Sequence, residues 1–147
     1  MRSSILLYGA IASLVLGAGV LTADALVTTD EEHLEELCDD VTERDADARV
    51  GAIMTWTDLS RQPLEISDRG RRERYEERDE AALSHDLEGV LAPLTDPDLE
   101  ILQRSVEVDD DRATIAIRTR SGGETHNTTF RLTRNGQGWL ITRLRAS

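Results

Sequence analysis

Three histidines, His33, His85 and His126, are the side chains of this 147-residue chain best suited to move a proton near neutral pH, because imidazole alone changes charge there unaided. His126 lies in an alternating stretch at the same parity as Thr128, Phe130 and Leu132. Pointed inward, it could serve as a general base with Asp58 or Tyr75 as its partner. The competing reading is a half-buried histidine satisfied by a backbone carbonyl, the commoner fate of this residue type. His33 and His85 fall among charges on predicted helices and are expected at the surface. No two histidines have metal-ligand spacing. Cys38, the one cysteine, can neither complete a zinc site nor form an intrachain disulfide. It sits among apolar helix positions and reads as a small core residue. Asp109-Asp110-Asp111 offers oxygens to calcium, but the glycine and downstream bidentate glutamate of such a loop are missing, so a solvated turn is expected. Neither a glycine-rich phosphate loop nor a nucleophile elbow occurs. No cofactor and no metal are expected.

The elements that must position these groups begin with helices. Thr29 to Glu32 reads as a capping box opening a helix over 30–44, with Leu34, Leu37, Cys38 and Val41 as its apolar stripe. Asp45 or Asp47 can cap a second helix reaching Leu59, which buries Val50, Ile53, Met54 and Thr57 with Trp56 beside them. Leu64 to Ile66 alternates like a short strand, and 67–70 is a turn. Residues 71–80 are nearly all charged and are expected as a loop or exposed helix start. Leu83, Leu87, Val90 and Leu91 mark a third helix over 81–91, ended by Pro93. From Asp98 the apolar period becomes two, and strands are predicted over 99–108, 112–120, 125–134 and 138–145. Ala113, Ile115 and Ile117 share one face of the second. Trp139 and Ile141 share one face of the last, with Leu140 and Leu144 on the other. Asn135-Gly136 is a hairpin signal, and short turns force all four strands into an antiparallel meander. The expected fold class is α+β: N-terminal helices packed on one face of a curved antiparallel sheet, preceded by one hydrophobic helix.

That hydrophobic helix is Ile5 to Leu21, a 17-residue run without a charge behind Arg2. It spans roughly 25 Å, just short of a bilayer core. Ala23-Asp24-Ala25 offers a signal-peptidase site. Residues 1–27 therefore read as a signal anchor or as a signal peptide cut after Ala25, and 28–147 as a single domain. Either way the positive end stays cytoplasmic and the domain is exported, anchored at an inner membrane or free beyond it. The net charge of −12 disfavours nucleic acid. It is unevenly spread. Asp30 to Asp47 holds ten acidic residues against Arg44, and Arg112 to Ser147 holds seven arginines against Glu124. Arg118, Arg120, Arg143 and Arg145 can face an anionic ligand or an acidic protein surface. They can equally pair with the acidic first helix at Glu35 or Glu36.

The closing Arg131 to Leu144, with Asn135-Gly136, Gly138, Trp139 and Ile141, resembles the nuclear transport factor 2-like superfamily, the SnoaL-like and ketosteroid-isomerase-like cones. Val108 to Ile117 is similar to the turn and strand that precede it there. The whole chain is similar to small membrane-tethered bacterial versions. The resemblance implies a cone with a pocket, whose apolar wall would be Trp56, Phe130 and Trp139. The superfamily holds enzymes, binders and assembly domains alike. Its isomerases hold an oxyanion with a tyrosine and a protonated acid, beside an aspartate base. Here the domain has one tyrosine, Tyr75, in a charged segment, so no active site carries over. The expected function is a non-catalytic binding or assembly domain for a small apolar ligand or a protein partner, a second copy of the chain included. The alternative is an isomerase- or cyclase-type enzyme with His126 as base.

Overall fold

In the computed structural model, residues 29–42, 45–136 and 138–147 are described; the expected hydrophobic helix at 5–27 lies outside them. Helix α1, Asp30–Val41, starts directly after Thr29 and buries Leu34, Leu37, Cys38 and Val41, the stripe expected from its spacing. It closes at Val41, short of the expected 44. The Thr42 hydroxyl donates back to the Cys38 and Asp39 carbonyls at 2.9 and 3.0 Å. Helix α2, Ala46–Thr55, is capped by the Asp45 carboxylate, which accepts from the Asp47 and Ala48 amides. It was expected to reach Leu59 but stops at Trp56, whose carbonyl accepts from the Ile141 amide at 2.8 Å. A bond to the sheet outcompetes another helical turn. Helix α3, Glu80–Val90, buries Leu83 and Leu87. A 3₁₀ turn, Ala92–Thr95, carries Pro93 and ends it.

The strands are β1 (Leu64–Asp68), β2 (Arg71–Tyr75), β3 (Glu100–Asp109), β4 (Arg112–Ser121), β5 (Glu124–Arg134) and β6 (Trp139–Ala146). Their order is β2-β1-β6-β5-β4-β3, a curved, unclosed sheet carrying three helices. β3 to β6 form the expected antiparallel meander. Three details differ from expectation. Residues 71–75 are a strand, not a loop, held by pairing with β1. They form an edge, where charge is tolerated because it blocks pairing with other chains. The sheet is mixed, since β1 runs parallel to β6. Lastly, β6 carries a bulge: Leu132 pairs with Ile141 but Arg131 with Arg143. The extra residue, Thr142, shifts the parity and brings Leu144 to the same buried face as Ile141.

That face meets the helices. Leu34, Leu37, Ile53, Leu83 and Leu87 pack with Ile115, Ile117, Phe130, Leu132 and Leu144 in one core. The opposite face carries Arg118, Arg143 and Arg145, alternate to the buried Ile117, Ile141 and Leu144. They therefore cannot reach Glu35 or Glu36 on α1, and the expected pairing does not form. Arg120 instead pairs with Glu100 at 3.1 Å and Arg143 with Glu65 at 3.0 Å. Among the described residues a helix–sheet ion pair forms at Arg104–Asp39, 2.5 Å, between exposed side chains, a type that contributes little.

Candidate functional site

A cleft of about 750 Å³ opens where the ends of α1 and α2 approach the β5–β6 turn. Its wall includes Trp56 and Trp139, both nearly buried. The early end of α2 places Trp56 there, and the Asn135–Gly138 turn places Trp139. The turn closes with a 3.0 Å bond from the Asn135 amide to the Gly138 carbonyl, and Gly136 and Gly138 adopt φ of 39° and 146°, suited to glycine. The His33 ring lies 4.7 Å from that of Trp56, tilted 46°. The Arg134 guanidinium sits 4.7 Å from the Trp139 ring centroid, a cation–π contact.

Around these rings stand five carboxylates, Glu36, Asp40, Asp58, Glu77 and Glu80, against Arg61. Asp58 accepts from the Ser60 hydroxyl at 2.6 Å and pairs with Arg61 at 3.1 Å. The Ser60 bond first, then the Arg61 charge, holds its carboxyl below the usual range. A carboxylate held low is a fixed negative charge and a poor base.

The other candidates lie elsewhere. Tyr75 borders a separate cavity of about 570 Å³, with His85 and Asp86. Its hydroxyl is 2.5 Å from Asp86 Oδ2 and 2.8 Å from Glu73 Oε2. Burial, reinforced by both carboxylates, raises its pKa and keeps the phenol protonated. One phenolic hydrogen between two acceptors leaves none for a substrate oxyanion. His126 has the expected inward parity but borders a space of about 40 Å³, far below the size of an organic-ligand site. Phe130 is wholly buried in the core and offers no surface to a ligand.

Asp58 and His126 also sit at opposite ends of the sheet. Asp58 follows Trp56, which is bonded to the start of β6. His126 precedes Asn127, which exchanges 2.8 and 3.0 Å bonds with Ser147 beyond the other end. At 3.3 Å per residue, β6 separates them by about 20 Å. The fold thus brings Trp56, Trp139 and Asp58 together and leaves His126, Tyr75 and Phe130 apart. Among the described residues no three His, Cys, Asp or Glu side chains converge as a metal site, and no described helix is long and apolar enough to cross a membrane. Asp109 to Asp111 falls at the β3–β4 turn, with Asp110 at φ 51°.

One buried group was missed from the sequence. Arg49 is 1% exposed, and its guanidinium donates to the Leu91 and Leu94 carbonyls at 3.4 and 3.0 Å. Its spacing from Ile53 and Trp56, four and seven residues, was the available signal. Desolvation lowers its pKa, against the Asp45 charge.

No family model and no curated protein matches this sequence. Solved structures do. A Shewanella frigidimarina protein provisionally described as a ketosteroid isomerase is 14% identical over 81% of this chain and 95% of its own, with a TM-score of 0.59. A nuclear transport factor 2-like protein of unknown function from Pseudomonas putida is 16% identical over 80% and 84%, at 0.55. A de novo designed protein with a curved β-sheet is 16% identical over 78% and 96%, at 0.53. These likenesses establish the fold, a nuclear transport factor 2-like cone, and the fold alone.

Proposed function

We propose that this chain is a non-catalytic binding domain, exported and held at or released from the outer face of a membrane, which takes its ligand in the Trp56–Trp139 cleft. One observation carries the reading: both tryptophans of the chain wall a cleft rimmed by five carboxylates, while His126 and Tyr75 lie away from it and His33 is turned to its rim against Trp56. An isomerase or cyclase would need His126 and an acid within reach of one substrate, and about 20 Å of sheet counts against that. The rim refines the expected apolar ligand to a small organic cation, with an apolar body over the indoles and its positive end toward Asp58. Export rests on Arg2 preceding the uncharged run 5–21.

Tryptophan fluorescence tests the binding half, since it reports on this cleft. The full chain in uncharged detergent micelles, titrated with benzyltrimethylammonium, is expected to show a saturable change that Asp58→Asn weakens. Equal responses to the cation and to neutral benzyl alcohol would remove the electrostatic part, and no saturable response to either would remove the site. A reporter active only outside the cytoplasm, fused after Ser147, tests export. Activity of a cytoplasm-specific reporter instead would refute it.

A further inference from the structure

We propose that a groove on the helix-free face of the sheet binds a soluble anion carrying two or more phosphate or sulfate groups. The groove, about 490 Å³, is lined by Arg69, Arg71, Arg72, Arg131, Arg143 and Arg145 and by no aspartate or glutamate. It is distinct from the Trp56–Trp139 cleft and does not depend on it.

Strand register builds the groove. Ser67 on β1 stands between Arg72 on β2 and Arg145 on β6, and Arg145 stands beside Thr129 on β5. The small Ser67 and Thr129 leave space between long side chains. In the neighbouring row Arg143 lies directly opposite Arg131. Like charges opposite one another weaken a sheet; Glu65, beside Arg143 in that row, offsets Arg143 and leaves Arg131 without a counter-charge in the row. At the end of the groove Arg69 takes the left-handed conformation, φ 47°, ahead of Gly70 at 84°, so the hairpin turn adds its own guanidinium.

The positive charge is only partly compensated within the chain. Glu65 meets Arg143 at 3.0 Å and Arg72 at 3.4 Å, and Glu73 meets Arg71 at 2.7 Å. Arg69, Arg131 and Arg145 have no ion-pair partner among the described residues. Six guanidinium groups face two glutamates, with Ser147 at the groove's margin, in a chain of net −12. Arginine suits tetrahedral oxyanions because its planar fork donates two parallel hydrogen bonds. Cross-strand and i, i+2 neighbours are about 5–7 Å apart, close enough for one molecule with adjacent charged groups to bridge them. The negative whole argues against an extended polyanion or an anionic bilayer. Either would meet the repulsion of the entire domain, whereas a small anion within a Debye length of about 8 Å feels the groove first.

Isothermal titration of the full chain in uncharged micelles with sodium tripolyphosphate, at physiological ionic strength, tests this. Saturable binding is expected. Arg131→Gln with Arg145→Gln should weaken it about tenfold or more, while Arg118→Gln, on the same face outside the groove, leaves it unchanged. Arg69→Asn, in an exposed turn that tolerates asparagine, supplies a variant with no strand packing to disturb, and it should weaken binding several-fold. Thermal melts of each variant separate lost binding from lost fold. Absence of saturable binding, or equal weakening by Arg118→Gln, would overturn the proposal. Displacement of tripolyphosphate by phosphatidylglycerol added to the micelles would overturn the assignment to a soluble anion in favour of a lipid headgroup.

Discussion

Replacing Arg49 by methionine should destabilise the domain by about 2 kcal/mol, although the apolar core keeps its volume. The guanidinium holds two carbonyls at the end of α3. The 3.0 Å bond to Leu94 is charge-assisted, a type that contributes roughly 1.5–3 kcal/mol. The Leu91 bond is longer, at 3.4 Å, and shares its acceptor with the Leu94 amide at 2.9 Å, so it adds about 0.5 kcal/mol. Removing a buried cation returns part of its desolvation cost, which brings the sum down. Arg49→Ala also loses two buried methylenes at about 0.8 kcal/mol each, besides the cavity left behind, and should cost about 4 kcal/mol. Urea denaturation followed by circular dichroism and tryptophan fluorescence gives both values. The decisive comparison is between the two variants. If Arg49→Met matches or exceeds the parent in stability, the guanidinium is a tolerated burden and not the clasp joining α2 to α3.

Trp139→Ala should cost roughly 3–5 kcal/mol and lower Tm by about 10–20 °C; a loss under about 1 kcal/mol would contradict its burial. Burial pushes the Cys38 thiol from 9.0 up to about 11, so an aryl disulfide reagent at pH 8 should react only after denaturant is added, and fast native reaction would refute this. The same raised pKa makes the folded thiol harder to ionise than the unfolded one. Stability from this group is therefore complete below pH 9 and lost as pH rises toward 11, which pH-dependent urea midpoints of Cys38→Ala and parent would reveal. Tyr75→Phe should cost about 1–2 kcal/mol by removing the donor between Glu73 and Asp86; a gain in stability would mean that the carboxylates already repel across it. Residues 26–147 alone should fold, as the helical and strand faces satisfy one another, and a random-coil circular dichroism spectrum would refute it.

Periodicity was legible wherever one face of an element is buried. The α1 stripe and the alternation of Ala113, Ile115 and Ile117 translated directly into packing. β2 was not legible, because an edge strand of Arg71, Arg72, Glu73 and Arg74 offers little apolar pattern and exists through its pairing with β1. The parallel β1–β6 pairing joins residues such as Ile66 and Leu144, and no local signal links them. The Thr142 bulge was equally silent, and it misplaced Leu144. Of the candidate site, the two tryptophans were readable as large aromatics on apolar positions. Their meeting with Asp58 depends on where α2 ends, which a bond from a distant strand decides. The separation of His126 from Asp58 and Tyr75 is likewise a matter of register, not of residue type.

The position of β6 has a consequence for the order of folding. It follows every other element along the chain, yet lies inside the sheet between β1 and β5. Until it arrives, the β1–β2 hairpin has no neighbouring strand to pair with, and a two-stranded hairpin is marginal alone. The carbonyl of Trp56 also lacks the amide that ends α2. Closing contacts across so much intervening chain is slow, so cooperative collapse waits for the final strand. A nascent polypeptide with that delay stays pliable through most of its synthesis, as the proposed export would require.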